Sequence, residues 1–229
     1  MVYLPILVLL CIICSPIIIG IFEKRHIWPY TPLTFDRLEA AIGKSGYLRK
    51  MITGALDADF EYLGMSNDAK GRHCKVNYHF LVAPDRSTLA IIGKGTVIGI
   101  GVEGTCLFSM SRDGKYLSTV DHQNCIEKDL SGRWMDQLAF NADFPRLYDK
   151  HCVWASRHGI QPGAYTLENE IEQHRQALND KIDRLEALGY IHFIDPERQI
   201  YRYTPYGSLK RFIVDHVRGI FRHIKAGRI

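Results

Sequence analysis

Charged side chains are absent from the start of the chain. No Asp, Glu, Lys, Arg or His occurs between Tyr3 and Phe22. This uncharged run of 20 residues has the length that an α-helix needs to cross a bilayer core of about 30 Å. We therefore predict one N-terminal transmembrane helix within residues 1–25.

The flanks of this run also lack the features of a cleaved signal peptide. No Lys or Arg precedes the run and no small-x-small triplet follows it, whereas a signal peptide needs both a basic start and a cleavage site. A cleaved signal peptide and a buried core helix are the alternatives to an anchor. Lys24 and Arg25 follow the run, and this charge bias predicts a single-pass protein with its C-terminal domain on the cytoplasmic side.

The next segment is a short juxtamembrane linker, residues 26–34. Aromatic residues are enriched where a helix leaves the bilayer, so we predict that Trp28 and Tyr30 contact the membrane or a partner.

A compact cysteine framework, low-complexity tracts and internal repeats are also missing. Four of the six cysteines lie outside the uncharged run, and they are widely spaced. This spacing favours free thiols over a set of disulfides. The charged fraction of 24% and the apolar fraction of 46% are typical of a folded globular domain.

The pattern of residues 35–160 predicts an α+β domain with an antiparallel sheet. Between residues 60 and 120, short apolar runs of period two alternate with turn residues, which is typical of a β-meander. The predicted strands include Val76–Phe80, Thr88–Ile92, Thr96–Val102, Thr105–Met110 and Lys115–Val120. Two of the predicted turns are Gly93-Lys94-Gly95 and Glu103-Gly104.

Helical signals return after residue 130. A short helix is predicted over Ser131–Phe140. Asp143 is expected to cap a helix that ends near Arg157, and Thr166 a longer one through Leu188. Residues 190–204 then predict a hairpin, so that residues 161–229 form a helix–hairpin–helix extension with a basic amphipathic tail.

No motif in the chain names a reaction. Gly99-x-Gly101-x-x-Gly104 matches a dinucleotide-binding spacing, but a predicted strand follows it where that function needs a helix. Asp121-His122, His122-x-x-Cys125 and His151-Cys152 lack the paired spacing of zinc sites or a nucleophile elbow. We therefore predict no catalytic residue, no cofactor and no metal, and keep an enzyme with an unrecognised His/Cys/Asp site as an alternative.

Residues 181–207 carry a likeness to a known family. The run RLEALGYIHFIDPERQIYRYTPYG resembles the end of a winged-helix domain, with a helix ending in L-G-Y-I and a two-stranded wing. The resemblance implies DNA binding by a membrane-tethered regulator. The predicted helix carries mainly acidic residues on its solvent side, a poor surface for phosphate, so no nucleic-acid partner is expected and DNA binding stays an alternative.

Acidic residues are scarce at the C-terminus. Residues 200–229 contain seven basic residues and one acidic residue, Asp215, a net charge of +6 in a chain of net charge +4. A last helix is predicted from Ser208 to Lys225, with Leu209 and Ile213 on an apolar stripe that packs on the domain, lies on a membrane or enters a partner groove. The predicted contact residues of this helix are basic: Lys210, Arg211, Arg218, Arg222 and Lys225.

These features favour a non-catalytic protein over an enzyme. The sequence predicts a single-pass, membrane-anchored accessory, scaffold or assembly subunit of a membrane protein complex. Its expected partners are the lipid bilayer and other membrane protein subunits.

Overall fold

The computed structural model describes residues 14, 18, 21–22, 30–31, 38–39, 42, 45–69, 74–97, 100–111, 114–121, 134–160, 170–195 and 200–213. The chain divides into two compact units. One comprises residues 28–177, and the other comprises residues 1–27 together with 178–229. The α+β class predicted from the sequence is confirmed.

The larger unit is built on a seven-stranded sheet in the order β1 to β7. Its strands are β1 (Tyr30–Thr31), β2 (Glu61–Ala69), β3 (Cys74–Val82), β4 (Leu89–Val97), β5 (Ile100–Met110), β6 (Tyr116–Val120) and β7 (Trp134–Leu138). Neighbours from β1 to β6 are antiparallel, as the meander predicts. The sheet is mixed, however, because β7 runs parallel to β6.

Strand β7 corrects the prediction of a short helix over Ser131–Phe140. Trp134 pairs with Tyr116 and Leu138 with Val120 along the edge of the sheet. Ladder pairing with β6 therefore overrides the local helical preference of this segment, as tertiary contacts often do.

Two predicted turns also lie inside strands. Gly93 is the fifth residue of β4 and pairs with Tyr78 on one side and Gly104 on the other. A Cβ atom at Gly93 would lie 3.0 Å from the Tyr78 ring. Glycine is therefore present because an aromatic ring covers the backbone at this point, and not because the chain turns.

The helices are α1 (Gly46–Leu56), α2 (Phe144–Arg157), α3 (Glu170–Ala187) and α4 (Pro205–Phe212), and the hairpin strands are β8 (Ile191–Asp195) and β9 (Ile200–Tyr203). The predicted Asp143 cap of α2 is confirmed, because its carboxylate accepts a hydrogen bond from the Arg146 N–H (3.2 Å). The predicted stop of α3 is confirmed at Gly189, which has φ of +69°.

Both faces of the large sheet are covered. On one face Met51 and Ile52 of α1 and Phe144 of α2 pack against strand residues such as Leu81 and Ile92. On the other face, Ile171 and Ala177 of α3 pack against a group that includes Phe80 and Phe108. The alternation of neighbouring residues between the two faces follows from the period of two in a strand.

An ion-pair cluster fixes the first residue of α3. The Arg86 guanidinium binds Glu170 at 2.8 Å and Glu61 at 2.5 Å. The Glu170 side chain is only 2% exposed, so its carboxylate needs this partner. Arg86 itself lies in a turn, with φ of +60°, and from there its side chain contacts both carboxylates.

The prediction of a transmembrane helix is wrong for the part of the chain that the structure describes. No helix there is long and apolar enough to cross a bilayer. The longest of them, α3, has 18 residues and is charged along its length. Most of residues 1–25 lie outside the described residues; of those described, Ile18 and Phe22 are exposed.

Candidate functional site

His151 on α2 is a polar residue of the larger unit with no exposed surface. Its Nε2 atom lies 2.9 Å from Ser109 Oγ on β5, and its Nδ1 atom lies 2.8 Å from Thr119 Oγ1 on β6. One imidazole thus joins α2 to two strands.

The proton positions in this network follow from the partners of Ser109. Its hydroxyl donates to the carbonyl oxygen of Ser87 (2.6 Å), because a carbonyl only accepts. The Nε2–H of His151 therefore donates to Ser109, and Nδ1 accepts from the Thr119 hydroxyl. Burial lowers the pKa of His151 to about 4, so the ring is neutral at pH 7.

This arrangement does not activate Ser109 as a nucleophile. A Ser–His catalytic pair requires the hydroxyl to donate its proton to an imidazole nitrogen. Here the donor is the imidazole, and the basic nitrogen is engaged by Thr119. We assign the network a structural role.

The predicted pair His151-Cys152 does not converge. His151 is fully buried, whereas Cys152 is exposed, because adjacent residues point to different sides of a helix. Partial burial of the thiol raises the pKa of Cys152, which hydrogen-bonds Tyr148. A raised pKa leaves the thiol protonated at neutral pH and unreactive as a nucleophile.

Asp121 is also buried, at 1% exposure. Its carboxylate accepts hydrogen bonds from the Tyr47 hydroxyl (2.5 Å) and the Thr105 N–H (2.7 Å). These contacts tie α1 to β5 and the end of β6. His122 and Cys125 lie outside the described residues. Within the described ranges, no three His, Cys, Asp or Glu side chains are placed to hold a metal ion.

A shallow groove of about 470 Å³ separates α1 from the start of α2. Its charged lining residues are Arg49, Lys50 and Asp57 of α1 and its C-cap, and Asp143 at the start of α2. Asp143 already caps the N-terminus of α2, which removes the helix end as an anion site. Because the lining contains both basic and acidic side chains, the groove has no net preference for an anionic or a cationic ligand.

The residues predicted to contact the membrane or a partner lie in different environments. Tyr30 lies in β1, where its backbone pairs with Ser66. Lys210 is exposed on α4. The Arg211 guanidinium lies 5.1 Å from the centre of the Tyr203 ring, a cation–π contact within the same unit. Trp28, Arg218, Arg222 and Lys225 lie outside the described residues.

Helix α4 is seated on the hairpin by its small and polar side. Ser208 is 3% exposed, and an added Cβ atom on Gly207 would lie 1.9 Å from the Tyr190 carbonyl oxygen. The Thr204 hydroxyl donates to the Gly189 carbonyl (2.8 Å) and accepts from the Gly207 N–H (3.0 Å). The start of α4 is therefore held against the end of α3 and the start of β8.

The apolar stripe of α4 faces outward. Tyr206, Leu209 and Ile213 are 58%, 43% and 44% exposed. They recur at the spacing i, i+3, i+7, which places them on one helix face. None of these three side chains is buried against its own unit. The overlooked signal is Gly207-Ser208, two small residues on the opposite side of the stripe.

Comparison with protein families, with curated proteins and with solved structures found no match for this chain.

Proposed function

We propose that this protein is a non-catalytic accessory or assembly subunit of a membrane-associated complex. It acts by binding, through the surface of residues 178–213, and not through an active site. The observation that carries the proposal is the outward apolar stripe of α4, formed by Tyr206, Leu209 and Ile213. Exposed apolar patches on a folded domain mark interaction sites.

The polar groups of the larger unit support a non-catalytic role. Asp121 and His151 are engaged by side chains or backbone groups of their own unit. An enzyme site places such groups in a cleft, where they can meet a substrate. The membrane location is proposed from the uncharged run of residues 3–22.

The likeness to a winged helix gains no support from the exposed charges. In the part of α3 that belongs to the second unit, Asp183 and Glu186 are exposed beside Arg184. A helix that approaches DNA needs a surplus of cations.

The proposal is tested by isolating the protein from its native membranes in a mild detergent and identifying what co-purifies. We expect a stable partner at constant stoichiometry. The variant Leu209→Glu/Ile213→Glu should lose that partner, because two carboxylates disrupt the apolar stripe.

The matched control is Phe140→Glu/Val153→Glu. It adds the same charge at two apolar positions of the larger unit that are 50% and 54% exposed. This control should retain the partner. A monomeric protein that co-purifies with nothing and converts a substrate would contradict the proposed function.

A further inference from the structure

The exposed face of α4 combines two properties that one partner must satisfy. Tyr206, Leu209 and Ile213 supply an apolar stripe, and the exposed cation Lys210 follows Leu209 directly. We propose that this face binds the surface of an anionic lipid bilayer and that this contact brings the protein to its partner subunit, an assignment that rests on the proposed function.

The orientation of α4 leaves the stripe exposed. Contacts of Gly207, Ser208 and Arg211 hold the opposite side of the helix on its own unit. An amphipathic helix that lies in a membrane interface inserts its apolar side about 5–10 Å into the boundary between headgroups and acyl chains. Leu209 and Ile213 are the side chains that would enter.

Charge distinguishes a bilayer from an apolar protein groove. A groove would accommodate the stripe but gives no reason for the exposed cation Lys210 beside it. From residue 205 to the C-terminus the sequence contains six basic residues and one acidic residue. Each Lys or Arg near an anionic membrane contributes about 1 kcal/mol. Lys210 reaches the headgroups from the edge of the stripe by extending its aliphatic stem along apolar surface.

The sequence continues the same pattern beyond Ile213. Val217, Ile220 and Ile224 fall on the predicted stripe, and Arg218 and Arg222 on the predicted polar side. The same compact unit also contains Ile18 and Phe22, which are 51% and 68% exposed. Apolar exposure is therefore a property of this unit and not of one residue.

The test measures hydrogen exchange of residues 205–213 in the full-length protein. Vesicles of phosphatidylcholine alone are compared with vesicles that also contain phosphatidylserine. A local measurement is needed because the apolar run of residues 3–22 is common to every variant. We expect amides of α4 to exchange more slowly with the anionic vesicles, and apparent affinity to fall about fivefold in Lys210→Gln.

The double variants make the result specific. Leu209→Glu/Ile213→Glu should abolish the protection, and Phe140→Glu/Val153→Glu should retain it. Equal protection by neutral vesicles, or protection that survives Leu209→Glu/Ile213→Glu, would overturn the lipid assignment.

Failure of this inference is separable from failure of the proposed function. If neither vesicle protects α4 but Leu209→Glu/Ile213→Glu still loses a co-purifying protein, the stripe binds protein and only the lipid assignment is overturned. If protection and protein partner are both missing, both proposals are overturned.

Discussion

The two units of this chain differ in which side chains they bury and which they expose. The unit of residues 28–177 buries polar groups and pairs them. His151, Asp121 and Glu170 are each at most 2% exposed and each has hydrogen-bonded or ionic partners within that unit. Buried polar groups with partners make a structure specific, but they leave little for a ligand.

The other unit exposes apolar groups. Of the nine large apolar side chains that are exposed among the described residues, seven belong to residues 1–27 and 178–213. Apolar surface exposed to water is therefore concentrated in the unit of residues 1–27 and 178–229. Exposed apolar patches often mark interaction sites, which is why the proposed binding surface lies in the smaller unit.

Acidification should produce the largest difference between the units. Burial lowers the pKa of both His79 and His151 from 6.5 to about 4. Below pH 6.5 both histidines are protonated in the unfolded chain, whereas in the folded chain they stay neutral until about pH 4. Stability is therefore complete above pH 6.5 and falls between pH 6.5 and 4, by about 3 kcal/mol for each histidine.

Urea unfolding followed by tryptophan fluorescence checks this prediction at pH 7, 5.5 and 4. All three tryptophans, Trp28, Trp134 and Trp154, belong to the larger unit, so the signal reports on it alone. His151→Gln cannot titrate and should remove about half of the dependence on pH. An unfolding midpoint that does not move over this range would show that the two rings are not buried neutral.

Removal of the His151 side chain should have the next largest effect. His151→Ala creates a cavity and leaves the hydroxyls of Ser109 and Thr119 without their imidazole partner. We expect a loss of about 3–4 kcal/mol in the free energy of unfolding, measured at pH 7 by urea titration.

The matched control for that change is His158→Ala at the end of the same helix. His158 is half-buried, and its Nδ1–H donates to the Trp154 carbonyl oxygen (2.9 Å). Its loss should cost less than about 1 kcal/mol. Equal effects of the two substitutions would contradict a special role for the buried network.

Local signals in the sequence were sufficient for much of the fold. The Asp143 cap and the glycine that ends α3 are contained in a few neighbouring residues, and both predictions are confirmed. Gly93 shows the limit of that reasoning. It looks like a turn residue, and only its partner on the neighbouring strand β3, Tyr78, explains why glycine is required within β4.

The site was less predictable for the same reason. His151 meets Ser109 and Thr119 across 42 and 32 residues of sequence, a distance that no local motif encodes. The stripe on α4 was identified, but its direction depends on the contact between Gly207 and the Tyr190 carbonyl. Periodicity shows that a helix has two faces, and tertiary contacts decide which one is buried.

That contact provides the third prediction, which concerns the smaller unit. Gly207→Ala places a methyl group 1.9 Å from the Tyr190 carbonyl oxygen. This clash is costly because a backbone atom cannot rotate away as the end of a side chain can. We expect a loss of about 2 kcal/mol, seen as faster hydrogen exchange of residues 205–213. Gly46→Ala, at a position with no atom within 4 Å, is the control and should be neutral. An unchanged exchange rate in Gly207→Ala would mean that α4 is not seated on the hairpin.

The smallest effect on stability is expected from the variant with the largest effect on binding. Leu209→Glu/Ile213→Glu removes apolar groups that already face water, so the free energy of unfolding should change by no more than about 0.5 kcal/mol. Urea titration followed by far-ultraviolet circular dichroism measures it, with Phe140→Glu/Val153→Glu as the reference. A loss above about 1.5 kcal/mol in the first variant alone would mean that the stripe packs within the fold. A small loss together with lost binding would separate folding from function in this unit, because the residues needed for the partner would be residues that the fold does not need.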